Sequence, residues 1–357
     1  MLANNHIQSL KPYNPTAHKI WNLTQTNVLK LDWNEASIPP SPNVFKELQD
    51  FLQYGHLNWY PHTKNIELLE SICAYTNQKS IDYIALFGGS DVAHECILDV
   101  FLQEGDSLLI LTPTYDNLRA RAQGVGIKTI AFELENDFSL DFTKLKDFLS
   151  KNSTKMVYIC NPNNPSGAIY PQDEILNLLK DFSHIMFLID EAYYEFCNES
   201  LETYTHIFTN LIITRTFSKA FALASFRIGY ILSHCENVAF INKLRNAKNI
   251  NMPSQIAALA ALKDINYTQK YIEECIKARA YFISQLDSMS IKTYPSFANF
   301  VLLHTIHTKA LCAFLESKNI FIRDYSHIIE NHCRITIGTM GQMRIVAQAI
   351  KEFIRGL

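Results

Sequence analysis

The sequence predicts an α/β fold, with a mostly parallel sheet in a large unit and a second, smaller α+β unit. Three observations lead there. Between about residues 80 and 230, short apolar runs alternate with amphipathic stretches, the pattern of βα units. Each run ends in a polar or Gly/Pro cluster of the kind that closes a strand. Beyond Asn249 the texture changes to long helical stretches followed by two further apolar runs.

Taken in order, the runs are 83–87, 107–111, 155–160, 185–189 and 211–214. They have the length of strands buried on both faces and are too short for core helices. Their terminal clusters are Gly88-Gly89-Ser90-Asp91, Thr112-Pro113-Thr114-Tyr115, the loop 161–167, Asp190-Glu191-Ala192-Tyr193 and Thr216-Phe217-Ser218-Lys219. In an open α/β sheet ligands bind beyond the carboxyl ends of the strands, so these clusters should line one cleft. A helical stretch over 254–286, candidate strands at 299–303 and 333–337 and a closing helix over 340–355 make the smaller unit. The expected large unit is 42–245, and the small one combines 1–41 with 246–357.

At 357 residues, with 48% apolar and 19% charged side chains, the chain can bury a sizeable core and is no disordered tail. Lys and Arg number 32 against 35 Asp and Glu, a net charge of −3 without blocks of like charge. That balance argues against nucleic acid or a membrane surface as partner. No apolar stretch approaches the roughly 20 residues of a membrane span, and the start MLANNHIQSL lacks a signal-peptide pattern, so a cytoplasmic location is expected. The eight cysteines are never closer than 21 positions and read as buried free thiols. His304 and His307 form an HxxH with His327 and His332 nearby, but no carboxylate or cysteine stands at ligand spacing. No metal is expected.

The clusters carry chemistry. Gly88-Gly89-Ser90-Asp91 leaves a strand and opens a helix whose apolar positions are Ala93, Ile97, Val100 and Phe101. Free N–H groups there suit a phosphate, although Ser90 as a plain N-cap with two turn glycines reads equally well. Neither GxGxxG nor GxxxxGK[ST] is present, which excludes dinucleotide and P-loop readings. The loop 161–167, with Pro162, Pro165 and Gly167, is rigid enough to aim a side chain. Asp190 ends an apolar strand, where it could meet a cationic ligand nitrogen, cap a helix or form a salt bridge. Lys219 ends another, with Arg227 eight residues on, and a lysine so placed suits Schiff-base chemistry because burial and nearby cations lower its pKa. A lysine, an acid, hydroxyls, an arginine, a helix N-terminus and Tyr115 in one cleft are the parts that pyridoxal phosphate requires.

In order and spacing these segments resemble the fold-type-I pyridoxal-phosphate aminotransferases, and the histidinol-phosphate aminotransferases most of all. The resemblance runs from Lys11-Pro12-Tyr13 and Leu31-Asp32-Trp33-Asn34-Glu35 through Asn58-Trp59-Tyr60-Pro61 and the clusters above to Arg334-Ile335-Thr336-Ile337-Gly338. It implies that Lys219 holds the cofactor as an imine and shuttles the proton, and that Asp190 keeps the pyridine nitrogen protonated. Tyr193 and Asn164 would bond the phenolate oxygen, and Tyr115 would stack on the ring. The phosphate would rest on Gly89, Ser90, Asp91, Thr216, Ser218 and Arg227, with Tyr60 reaching over from the second subunit of a homodimer. Arg334 would take the substrate carboxylate, with Arg323, Tyr13 and Asn34 as candidates for the distal group.

The implied reaction moves an amino group between glutamate or 2-oxoglutarate and a small phosphorylated ketone, with histidinol phosphate as the first expectation for the product. Two alternatives stay open. One is a transaminase of another keto or ketose phosphate, such as a three-carbon ketose phosphate or a surface-polysaccharide intermediate. The other is a phospho-amino-acid decarboxylase on the same scaffold. A non-catalytic regulator that kept the fold is disfavoured by the intact Lys219, Asp190 and Arg227. Departures from the family pattern lie on the substrate side: Asn34-Glu35-Ala36-Ser37-Ile38-Pro39-Pro40 lacks the usual Asn-Pro-x-Gly-Pro turn, and Ala224-Ser225-Phe226-Arg227 replaces Ala-Gly-Leu-Arg.

Overall fold

The apolar runs pair side by side because each is covered on both faces, leaving the strand edges as the only place for their backbone groups to bond. The computed structural model describes residues 2–8, 10, 20 and 27–357. In it, β2 (Ile84–Phe87), β3 (Ser107–Thr112), β4 (Lys128–Glu133), β5 (Met156–Cys160), β6 (Met186–Asp190), β7 (Leu211–Thr216) and β8 (Gly229–Ser233) form one sheet in the order β2-β8-β7-β6-β5-β3-β4. β8 alone runs antiparallel to its neighbours. β5 and β7 are buried throughout, polar Thr214, Arg215 and Thr216 included.

Two strands of this sheet were not expected from the sequence. β4 is an edge strand with a half-exposed face, so its apolar signal is diluted by Lys128, Thr129 and Glu133. β8 opens on Gly229, and a Cβ there would stand 2.6 Å from the Arg215 carbonyl oxygen. That close approach lets β8 insert between β2 and β7 beside the start of helix Ser90–Phe101.

A second sheet has the order β1-β11-β12-β10-β9, from β1 (Leu29–Leu31), β9 (Lys292–Thr293), β10 (Phe300–His304), β11 (Ile320–Asp324) and β12 (His332–Thr336). β1 pairs parallel with β11, which brings the N-terminal segment alongside residues some 290 positions later (Leu29 with Ile320). The helical stretch expected over 254–286 is two helices, Met252–Lys263 and Ile265–Ser288, broken at Asp264, whose carboxylate accepts from the Ser41 hydroxyl. The closing helix is Met340–Arg355, started by a capping box between Thr339 and Gln342 and buried along Met343, Val346, Ala347 and Ile350. Among the described residues, no helix is long and apolar enough to cross a membrane.

Candidate active site

β2, β3, β5, β6 and β7 run in one direction, so the clusters that follow them meet at one sheet edge. They line a cleft of about 520 Å³ whose opposite wall is Asp32, Trp33, Asn34 and Glu35 after β1, Arg323 and Tyr325 from the β11 segment, and Arg334 of β12.

At the end of β6 two adjacent carboxylates part. Glu191 turns to the fully buried Arg215 of β7, whose Nε and Nη2 donate to its Oε2 at 3.0 and 2.8 Å, and this ion pair ties the ends of the two strands together. Asp190 faces the cleft instead. Its Oδ2 accepts from the Tyr158 hydroxyl at 2.9 Å and its Oδ1 from the Ala192 N–H at 3.1 Å. Burial pushes its carboxyl pKa up, while His94, the Tyr158 hydrogen bond and the Ala192 N–H pull the other way.

Beyond β7, the Thr216 hydroxyl bridges to Ser218, and Lys219 donates to the Trp33 carbonyl oxygen at 3.0 Å. Burial above all, with Arg334 and Arg227 acting the same way and Glu35 and Asp91 opposing, lowers the Lys219 pKa to about 8. Such an amine is largely free base at mildly alkaline pH, which is what attack on a carbonyl needs.

The start of helix Ser90–Phe101 is built around Gly89, at φ +95°. The positive φ favours glycine, and a Cβ there would stand 2.8 Å from Arg227 Nη2 and push the guanidinium aside. Gly89 is the N-cap of helix Ser90–Phe101 and no side chain caps it; Ser90 is the first helical residue, not the cap. The helix therefore presents uncapped N–H groups at the cleft. Arg227 lies within hydrogen-bond reach of Ser218 Oγ (3.3 Å) and Asp91 Oδ2 (3.4 Å) and is held at φ +50°, a conformation that costs an L-residue about 1–2 kcal/mol. Strain of that kind gathers at functional sites. Tyr115 donates to the other Asp91 oxygen at 2.7 Å.

In the loop 161–167, two of three asparagines serve the loop. Asn161 Oδ1 accepts from the Tyr170 N–H, and Asn163 is bonded to Thr114, Pro113 and Ser166. Asn164 is left to face the cleft, where its amide donates to the Tyr193 hydroxyl at 3.4 Å and accepts from Arg334 Nη1 at 2.5 Å. Burial pushes the Tyr193 pKa up, so it is a neutral hydroxyl. Asn34 spends its side chain on Tyr193 (3.0 Å) and Thr336 (3.2 Å). Arg334 and Arg323 are paired across β12 and β11, and Tyr325 donates to Asn164 and accepts from Arg334. Arg334 Nε and Arg323 Nη1 are buried without a hydrogen-bond partner among the described residues, an arrangement an anion would complete.

Residues 26–350 match the family described as aminotransferase class I and II. The chain belongs to the class I and II aminotransferases. It is a pyridoxal-phosphate-dependent aminotransferase of fold type I. This aminotransferase is 52% identical to a dihydroxyacetone phosphate transaminase of Campylobacter jejuni, over 99% of this chain and 98% of that one. It is 33% identical to a histidinol-phosphate aminotransferase of Ruminiclostridium cellulolyticum, over 97% of this chain and 96% of that one. The histidinol-phosphate aminotransferase of Sinorhizobium meliloti, solved with pyridoxal 5′-phosphate, superposes with a TM-score of 0.84 at 24% identity, over 92% of this chain and 91% of that one.

The donor set of the aminotransferase's cleft fits that cofactor. A buried carboxylate, a lysine of lowered pKa and an uncapped helix N-terminus backed by an arginine stand together around a glycine at positive φ. Of the residues singled out from sequence, all the described ones except Gly89 and Tyr60 line the cleft, and Gly89 adjoins it through Ser90. Tyr60 is 79% exposed, under the Lys248 ammonium at 4.1 Å. Tyr13 lies outside the described residues. Sequence reading missed Tyr325, although its spacing of two from Arg323 puts both on one face of an extended chain. It also missed Tyr158 and His94, which stand behind Asp190.

Proposed function

We propose that this aminotransferase moves an amino group from glutamate to a three-carbon ketose phosphate, dihydroxyacetone phosphate. The observation that carries the reading is the 52% identity, along the whole chain, with the Campylobacter jejuni enzyme named for that substrate, against 33% with a histidinol-phosphate enzyme. The order expected from sequence, histidinol phosphate first and a ketose phosphate second, is therefore reversed. The altered residues 36–40, which depart from the histidinol-phosphate pattern, directly follow Asn34 and Glu35 of the cleft wall. In the balanced reaction the acceptor ketone becomes an amine and glutamate becomes 2-oxoglutarate.

Pyridoxal phosphate, when bound, supplies an electron sink for the substrate carbon that loses its proton. Lys219 Nζ would hold the cofactor and carry that proton, and Asp190 would keep a proton on the ring nitrogen. Tyr193 and Asn164 would hydrogen-bond the ring oxygen, and Tyr115 would cover one ring face. Gly89, Ser90, Asp91, Thr216, Ser218 and Arg227 would hold the phosphate. Arg334 would bind the glutamate carboxylate through its planar fork, and Arg323 the acceptor phosphate. Asn34 would act through Tyr193, because its amide is already spent there.

The test offers purified enzyme glutamate with dihydroxyacetone phosphate, free dihydroxyacetone or imidazole acetol phosphate, and follows 2-oxoglutarate. The phosphorylated three-carbon ketone should exceed both others in kcat/KM by about 100-fold or more, since each lacks or misplaces a group the site binds. Equal turnover of the unphosphorylated ketone, or preference for the imidazole substrate, refutes the reading. Carbon dioxide release from a phospho-amino acid without oxoglutarate would select the decarboxylase.

A homodimer sharing its sites is part of the proposal. Leu52, Tyr54, Leu57, Trp59 and Tyr60 are each more than 60% exposed within nine residues, an apolar surface suited to a second copy. With Tyr60 of one subunit on the other's cofactor phosphate, mixing inactive Lys219→Ala and Tyr60→Ala subunits should restore part of the activity, because one site per mixed dimer regains both residues. Exchange without recovery would disprove site sharing.

A further inference from the structure

Asp190 has a polar backing that none of the roles above uses. His94, the fifth residue of helix Ser90–Phe101, is 1% exposed and packs edge-on to Tyr158 at 5.6 Å between ring centroids. Its Nε2 lies 2.9 Å from Thr214 Oγ1 and 3.8 Å from Asp190 Oδ2, the same oxygen that accepts from Tyr158 at 2.9 Å. Its Nδ1 is buried with no hydrogen-bond partner among the described residues.

We propose that His94 is a positioning residue for the reaction, holding the Asp190 carboxylate ionised and aimed at the cofactor's ring nitrogen together with Tyr158. The inference rests on the assignment of Asp190 to that nitrogen. A proton on Nε2 is the one the geometry sets between Thr214 and Asp190, since Nδ1 has no hydrogen-bond partner among the described residues. That N–H donates to Thr214 and turns the positive end of its dipole toward Asp190. Tyr158, His94 and the Ala192 N–H thus solvate the carboxylate without neutralising it. Among the described residues no Lys or Arg forms a salt bridge with Asp190, so its countercharge must come from the cleft side, where a protonated ring nitrogen supplies one. A plain aliphatic residue at position 94 would fill the same space beside Ala93, Ile97 and Leu98 without burying an unpaired nitrogen.

The titratable groups that face Asp190 are Tyr158 and Cys160 of β5, Tyr193 beyond β6, and His94 and Asp91 of the helix. Burial raises the pKa of Tyr158, Cys160 and Tyr193, which keeps all three neutral over the range to be scanned.

The experiment compares His94→Leu, His94→Phe, His94→Gln, Tyr158→Phe and Asp190→Ala with the parent enzyme. It reads cofactor affinity by titrating apoprotein with pyridoxal phosphate, the pH midpoint of the holoenzyme's visible absorption change, and kcat against KM. A ring that has lost its positive charge holds the titrating proton more tightly, so Asp190→Ala should move the midpoint up. His94→Leu should move it part of the way. The leucine variant should also weaken cofactor binding and lower kcat by roughly tenfold each, the size of one lost interaction with a charged group. The glutamate KM should change little. Tyr158→Phe should act in the same direction, and His94→Gln, which keeps an N–H, should recover most of the loss. His94→Phe replaces the leucine variant if that does not fold. A parental midpoint and affinity in His94→Leu or His94→Phe, with Asp190→Ala shifted, overturns the inference alone. Equal damage from Gln and Leu also overturns it, leaving only packing. If Asp190→Ala itself leaves the midpoint unmoved, the Asp190 assignment fails and the inference falls with it.

Discussion

On the proposed roles, Lys219→Ala should cost at least roughly 10⁴-fold in kcat, because one substitution would remove both the amine proposed to hold the cofactor and the base proposed to move the substrate proton. Borohydride reduction of the holoenzyme followed by peptide mapping should label Lys219, and a label on Lys243 or Lys248 would overturn the assignment. The lowered pKa adds a second readout with a definite sign. At a pKa of about 8 the reactive free base rises from about a tenth of the population at pH 7 to about nine-tenths at pH 9. Covalent capture of pyridoxal phosphate by the apoprotein should therefore speed up about tenfold over that interval and level off above it. A rate that keeps climbing through pH 10 would mean an ordinary, solvated lysine. The cause is structural: the Lys219 amine is buried at the strand end, Arg334 and Arg227 face it, and its hydrogen bond goes to a neutral carbonyl.

Asp190→Ala is expected to lower kcat by roughly 10²- to 10⁴-fold while the protein stays folded, since in its proposed role the carboxylate would keep the electron sink positive. Asp190→Glu should retain more activity, because it keeps the charge and misplaces it by one methylene. Near-normal turnover in Asp190→Ala would refute the role. Stability should move the other way or not at all. The folded pKa of Asp190 is raised by burial, so its ionisation is a cost to the fold that grows as pH rises above the unfolded carboxylate value. Asp190→Ala should therefore melt no lower than the parent apoprotein near neutral pH, which calorimetry of the two apoproteins can check.

How much of this was legible in the sequence differs between the two walls of the cleft. The wall at the ends of β2, β3, β5, β6 and β7 was legible because each cluster follows its own strand, and parallel strands gather such clusters at one edge. On the opposite wall, Arg334 and Arg323 could be named, but not their pairing across β12 and β11, because β11 is a short half-exposed strand whose sequence carries a weak signal. Tyr325, which joins Arg334 to Asn164, went unread for the same reason. Asn34 could be placed near the substrate but not assigned its partners, since Tyr193 lies 159 positions away and Thr336 lies 302 away.

The amino-acid order by itself determined the chemistry available to this protein: a lysine, an acid and an arginine at strand ends, and a glycine pair opening a helix. Those are local facts, set by residue type and by the length of each apolar run. Only the tertiary structure decided how the groups are conditioned. It turned Glu191 to Arg215 and left Asp190 to the cleft, although the two are neighbours in the chain. It set His94 and Tyr158 behind that carboxylate and drew the Lys219 amine into a site where its pKa falls to about 8. A side chain's charge and reach are written in its identity, whereas its pKa and its partner depend on which distant segments remove its water and what they offer in return.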